Sequence, residues 1–182
     1  MADDSSDLFA AFRAGARDAR MEATHPISAE ELGGLDDPRS VVGRVALRLY
    51  ERYGSHEWPD VEMPDAQRRW LAVEEFESEW ANGGIAQFVI NQGDAVEAIL
   101  GWARRGYEML NLPGMADLAT RVLRVVESER GLRAELESLA SATDRYTASL
   151  ARTRVGDFDN EVVECEEARG EYVLAHPSLF VG

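Results

Sequence analysis

The chain has 182 residues and carries 34 acidic against 19 basic side chains, a formal net charge of −15 with a pI near 4.6. Every basic residue is arginine, which excludes Schiff-base and phosphate-loop lysine chemistry, and the acidic excess argues against direct binding to nucleic acid or anionic lipid, since both require clustered positive charge. Hydrophobic residues at 45% and charged residues at 29% describe a globular chain, long enough to bury a core without a disulfide or metal staple.

In chain order, Ser6 or Asp7 can cap a first helix over 7–23, with Leu8, Phe9, Phe12 and Ala16 on one face. His25-Pro26 stops it, because the residue before proline avoids helical geometry. Ser28-Ala29-Glu30-Glu31 resembles a capping box for a short turn that ends at Gly33-Gly34. A longer helix follows Asp37-Pro38, carries Val42, Val45, Ala46, Leu49 and Tyr53 at 3-4 spacing, and ends at Gly54. Pro64-Asp65 opens the next, over 65–81, with Trp70, Val73, Phe76 and Trp80 inward. Asn82-Gly83-Gly84 closes it, and a short apolar helix over 85–91 comes next.

The segment 95–110 places Val96, Ile99, Leu100, Ala103 and Tyr107 on one stripe. Pro113-Gly114 predicts a break, and 115–129 repeats the pattern with Leu118, Ala119, Val122 and Val126. Leu132, Leu136, Leu139, Thr143, Tyr146 and Leu150 make a heptad-like seam, which leaves an oligomerising role and a homodimer open. Gly156 precedes a last helix over 159–175, stopped by His176-Pro177. No segment alternates at period two. The expected fold is all-α, a compact multi-helix domain over 36–182 with an N-terminal helical arm over 1–35. The acidic MADDSSD start lacks the basic segment of a secretory signal, the lone Cys165 fits a reducing compartment, and the longest uncharged interior stretch, 80–93, is too short to span a bilayer. The expectation is a cytoplasmic protein without membrane association.

Two segments hold most of the charge. Residues 57–79 carry eight acids and two arginines, and residues 157–171 carry seven acids and one arginine. In the predicted last helix Asp157, Glu161, Glu164 and Glu171 share a face, and in the earlier one Glu75 and Glu79, and Glu74 and Glu77, are one turn apart. Carboxylates one turn apart lie about 6 Å apart along the axis. That is comparable to the phosphate spacing of a nucleic-acid strand, so such a face can occupy a DNA-binding groove. A solvated face that keeps the protein soluble uses the same residues. Glu74, Glu75, Glu77, Glu79, Asp157, Glu161, Glu164, Glu167 and Glu171 are the candidate contacts to a basic partner.

Chemistry of other kinds is poorly supported. His25, His56 and His176 are far apart, no HExxH or paired Cys/His spacing occurs, and no nucleophile elbow or phosphate-cradling loop is present. The expectation is no catalytic residue, no metal and no cofactor. Cys165 reads as a buried inert thiol, and Arg169 on the same side as a partner for a carboxylate.

The most distinctive string runs from Glu79 through Asn82-Gly83-Gly84 to Gln87-Phe88 and Asn91. Its glycines permit a tight reversal between helices, and Gln87 and Asn91, four apart, place two amides on one face. These residues form either a small polar pocket or an internal network that locks the turn. The pattern of a Glu, Asn-Gly-Gly, Gln-Phe and Asn resembles the DNA-mimic-protein (DMP type) family of small bacterial helical domains. The string Phe158-Asp159-Asn160-Glu161 and the stretch from Glu171 to Phe180 are similar to its closing helix, so the resemblance covers about 40–182. Val89, and Gln92-Gly93 after Asn91, depart mildly from the pattern. The resemblance implies an all-helical domain, no known catalysis, and inhibition of a DNA-binding protein by charge mimicry. A close variant is an immunity protein that caps a basic nuclease toxin.

Overall fold

The structure, a computed structural model, describes residues 27–35, 37–54, 58–128, 154–163 and 165–181. The predicted helix over 7–23 and the seam from Leu132 to Leu150 lie outside the described residues. Among the described residues there is no strand, and the fold is all-α.

Among the described residues six α-helices carry it: α1 (Ala29–Gly33), α2 (Pro38–Tyr53), α3 (Asp65–Gln92), α4 (Val96–Met109), α5 (Pro113–Ser128) and α6 (Glu166–Ala175). The caps read from the sequence are in place. The Ser28 hydroxyl accepts from the Glu31 N–H at 3.0 Å, and Asp37 Oδ2 accepts from the Ser40 N–H at 3.0 Å, so each satisfies an otherwise orphaned donor in a first turn. Pro113 differs from expectation. It is the first residue of α5 rather than part of a break, because the amide hydrogen it lacks would have no partner there.

Helix α4 packs between α3 and α5, and α6 lies along α2. The core is continuous, from Val42, Val45 and Leu49 on α2 through Trp70, Phe76 and Phe88 on α3 to Ile99 and Tyr107 on α4 and Leu118 and Val122 on α5. The Phe76 ring stands at 84° to both Phe88, at 5.1 Å, and Tyr107, at 6.4 Å. Edge-to-face pairs of this kind contribute about 0.5–1.5 kcal/mol each beyond area burial. Gly106 lets α4 approach α3 closely, since a Cβ there would meet the Arg69 carbonyl at 2.5 Å. Gly170 does the same for α6 and α2, because a Cβ would collide with the backbone of Pro38.

Ile27 and Leu32 are buried in this core, and α1 packs on the 3₁₀ turn Pro177–Leu179. Residues 27–35 therefore pack on the helical body, and the rest of the expected arm, 1–26, lies outside the described residues. The same turn is anchored by Gln67, whose Nε2 donates to the Leu179 carbonyl at 2.8 Å while its Oε1 accepts from the Tyr53 hydroxyl at 2.9 Å.

The last helix is shorter than predicted. Arg154–Glu161 is a 3₁₀ segment packed on α3 and α5, and α6 begins only at Glu166. The backbone leaves helical geometry at Val162 and Val163. Val162 is buried and Val163 exposed. Glu161 and Glu171 consequently do not share one helical face. Glu164 and the side chain of Asp157 lie outside the described residues.

Candidate functional site

The Asn-Gly-Gly string bends α3. Gly83 is extended at φ −172°, and Gly84 takes φ +82°, a left-handed conformation that favours glycine. The chain thus enters a second helical run over 85–92 at a new angle. Its first amide is satisfied from a distance: Asp159, in the 3₁₀ segment, accepts the Ile85 N–H at Oδ1 over 2.7 Å. The Asp159 carbonyl accepts from the Trp80 indole N–H at 3.2 Å. Asn91 Nδ2 donates to Glu79 Oε2 at 2.6 Å across the bend, the Gln87 side chain stands over Gly83, and Phe88 is fully buried. Asn82 is exposed. Of the two readings of this string, the locked turn is the one the geometry fits. Asp159, its main external support, was missed as a site residue because its partner is 74 residues away.

In the first acidic block Glu75 and Glu77 point inward, while Asp60, Glu62 and Asp65 are exposed. Glu77 is only 4% exposed, Glu75 9%, and Arg169, reaching across from α6, 5%. Arg169 pairs through Nη1 with Glu74 and through Nη2 with Glu77 Oε2 at 3.0 Å. Its guanidinium carbon lies 5.5 Å from the centre of the Trp70 ring, over its face. The remaining lone pairs of Glu77 accept from the Tyr107 hydroxyl at 3.2 Å and the Cys165 N–H at 3.2 Å. Glu75 accepts from the Tyr50 hydroxyl at 2.8 Å and from Gln92 Nε2 at 2.6 Å. Buried charge survives only when paired and hydrogen-bonded; Glu77 meets both conditions, and Arg169 is paired through both Nη atoms while its buried Nε has no hydrogen-bond partner.

The surrounding titrations follow from burial beside carboxylates. Burial, and then the Glu75 charge, raise Tyr50, and burial with Glu77 raises Tyr107, so both remain hydroxyl donors. Burial first, and then Glu77, push the Cys165 thiol up to about 12. Burial draws Arg169 down to about 10, which leaves it charged at neutral pH.

The expectation that Glu74, Glu75 and Glu77 offer a docking face is therefore corrected. Charge at helical spacing does not reveal which side of the helix faces the core, and here the core supplies a guanidinium and two phenols. Glu79 is half-buried against Asn91. Arg169, expected on the side of the buried thiol as a partner for a carboxylate, is the centre of the cluster.

Of the second block, Glu161 is exposed and held by Arg121, with Nη1–Oε1 3.1 Å and Nη2–Oε2 2.5 Å. The Arg121 hydrogen bond keeps its carboxyl below the ordinary carboxylate value. Arg121 also lies 5.1 Å over the Phe158 ring. Glu167 and Glu171 are exposed on α6, one turn apart, and no described residue pairs with either. Among the described residues no group of three or more His, Cys, Asp or Glu is placed to hold a metal ion, and no helix is long and apolar enough to cross a membrane.

With this geometry in hand, the sequence profile of the DMP19-like protein family matches residues 61–176, from the loop before α3 through the end of α6, and the chain belongs to that family. The match encloses both the bent α3 and the buried Glu–Arg cluster. None of the curated proteins and none of the solved structures compared with the chain matches it.

Proposed function

We propose that this protein is a non-enzymatic, cytoplasmic binding protein that engages a basic DNA-binding protein through exposed carboxylates and so competes with DNA for it. The observation that carries this reading is the formal charge of −15 on a chain that belongs to the DMP19-like family. The contacts proposed are the carboxylates that remain at the surface. Glu74, Glu75 and Glu77 serve the interior, whereas Glu161, Glu167 and Glu171 reach solvent. Fixed negative charge held on helices presents a basic groove with the field of a phosphate backbone without requiring the groove to read bases.

The test uses the immobilised full-length protein at low salt. A basic DNA-binding protein is retained and eluted by salt, as expected where exposed charges dominate and screening is effective. Added in solution, the protein displaces that partner from DNA, and the Glu161→Gln, Glu167→Gln, Glu171→Gln triple variant displaces it less well. Recovery of no basic protein at low salt, or a captured partner whose DNA binding is unaffected, overturns the proposal.

A further inference from the structure

The exposed carboxylates of the contact set are not equivalent. No described residue pairs with Glu167 or Glu171, whereas Glu161 is gripped by both terminal nitrogens of Arg121, at 3.1 and 2.5 Å. Arg121 is itself fixed from behind. Its Nε donates to Asp117 Oδ2, one turn earlier on α5, at 3.0 Å, and its guanidinium carbon lies 5.1 Å from the centre of the Phe158 ring. All three of its nitrogens are thus engaged, and the fork that meets Glu161 is the geometry that suits a carboxylate best. The hydrogen bond to Glu161 raises Arg121 above the ordinary guanidinium value, the counterpart of the lowered Glu161 carboxyl.

The pair is nevertheless open to water. The Arg121 side chain is 34% exposed and that of Glu161 47%. Exposed pairs are weak, and losing one changes an equilibrium by at most about five-fold. A cation from another molecule can therefore take the place of Arg121. Once displaced, Arg121 keeps Asp117 as a partner, so the exchange strands no charge.

The position of Glu161 is secured by other contacts. Val155 and Val162, on either side of it, are buried. Asp159 accepts the Ile85 N–H at 2.7 Å, and its carbonyl accepts the Trp80 indole N–H at 3.2 Å. These contacts hold the 3₁₀ segment on α3 without help from Arg121. What Arg121 adds is occupancy of the carboxylate.

We propose that Arg121 is an autoinhibitory competitor at Glu161, which it occupies in the unbound protein and yields only to a cation brought by the partner. Glu167 and Glu171 are open to first contact, and Glu161 joins them after the exchange. The inference rests on the reading of these carboxylates as contacts, and it names Arg121 as the residue that limits their affinity.

The test follows the backbone amide signals of residues 161, 167 and 171 in the full-length protein at low salt while an oligoarginine peptide is added. In Arg121→Gln protein the Glu161 signal should reach half-saturation at about two- to five-fold less peptide than in the parent. The midpoints at Glu167 and Glu171 should move no more than in Arg124→Gln protein, which loses the same charge from an exposed side chain further along α5. The Ile85 amide signal should stay in place, because Asp159 still caps it. A Glu161 midpoint that Arg121→Gln leaves unchanged overturns the proposal, as do three midpoints that fall together, a displaced Ile85 signal, or no response to the peptide at any of the three residues. The two readings fail separately. The expected shift at Glu161, with no basic DNA-binding protein retained by the immobilised chain, would refute the proposed function and leave the competition standing. A retained partner with no selective shift at Glu161 would do the reverse.

Discussion

Replacing Arg169 by methionine removes the one guanidinium that Glu74 and Glu77 share, while keeping an unbranched apolar side chain over Trp70. Glu77, 4% exposed, would keep its bonds from Tyr107 and Cys165 but lose its ion pair with Arg169. Breaking a buried pair by removing one partner costs about 3–5 kcal/mol. Against a total stability of about 5–15 kcal/mol for a domain, that loss is large. Urea unfolding at neutral pH, followed by circular dichroism, measures it. Adding Glu77→Gln to Arg169→Met neutralises the stranded acid, so the double variant should be less destabilised than the sum of the singles, with a coupling of about 0.5–3 kcal/mol. Should Arg169→Met fail to fold, Arg169→Lys keeps the charge without the forked donor pair and should fall between it and the parent. A loss below about 1 kcal/mol for Arg169→Met, together with additive single and double variants, would refute the claim that this cluster fastens α6 to α3.

Gly84→Ala should destabilise by about 1–2 kcal/mol, because alanine is strained in the left-handed region, and its Cβ would also approach Asp159 Oδ2 at 2.8 Å. Gly43→Ala, on an open face of α2 with nothing within 4 Å of the new Cβ, should instead stabilise by about 0.5–1 kcal/mol; thermal unfolding of the pair checks both signs. The Cys165 thiol should resist alkylation at pH 8 in the native protein and react once urea unfolds it. Because its folded value is raised to about 12 from an ordinary 9, stability is unaffected below pH 9 and falls as pH rises from there toward 12. Unfolding midpoints that stay flat across that window in the parent, or that fall equally in Cys165→Ala protein, would contradict that assignment.

What could be read from the sequence was whatever is local. Apolar residues at 3-4 spacing located α2, α4 and α5, the capping pairs Ser28–Glu31 and Asp37–Ser40 fixed two starts, and Gly83-Gly84 fixed the bend in α3. Errors came where a distant partner decided the local geometry. Nothing between Asp157 and Glu167 says that the chain leaves helical geometry at Val162 and Val163 instead of continuing as helix. The reason lies elsewhere, in Asp159 capping Ile85 and Arg121 holding Glu161, both contacts with α3 or α5.

The acidic blocks misled for a related reason. A net charge counts carboxylates without regard to which way they face, and a helix that is acidic at one-turn spacing looks the same in sequence whether its acids meet water or an arginine. Arg169, read as a partner for a carboxylate on the side of the buried Cys165, was the available signal. A single arginine flanked by Gly170, which allows close approach, and preceded by a buried cysteine has the composition of an inward position. The carboxylates that remain outside are fewer than the sequence suggested, and Glu167 and Glu171 are on a helix that Arg169 itself fastens to the core. Charge inside this protein therefore positions charge outside it, and a variant that breaks the inner cluster should lose the outer surface with it, even though none of its outer residues has changed.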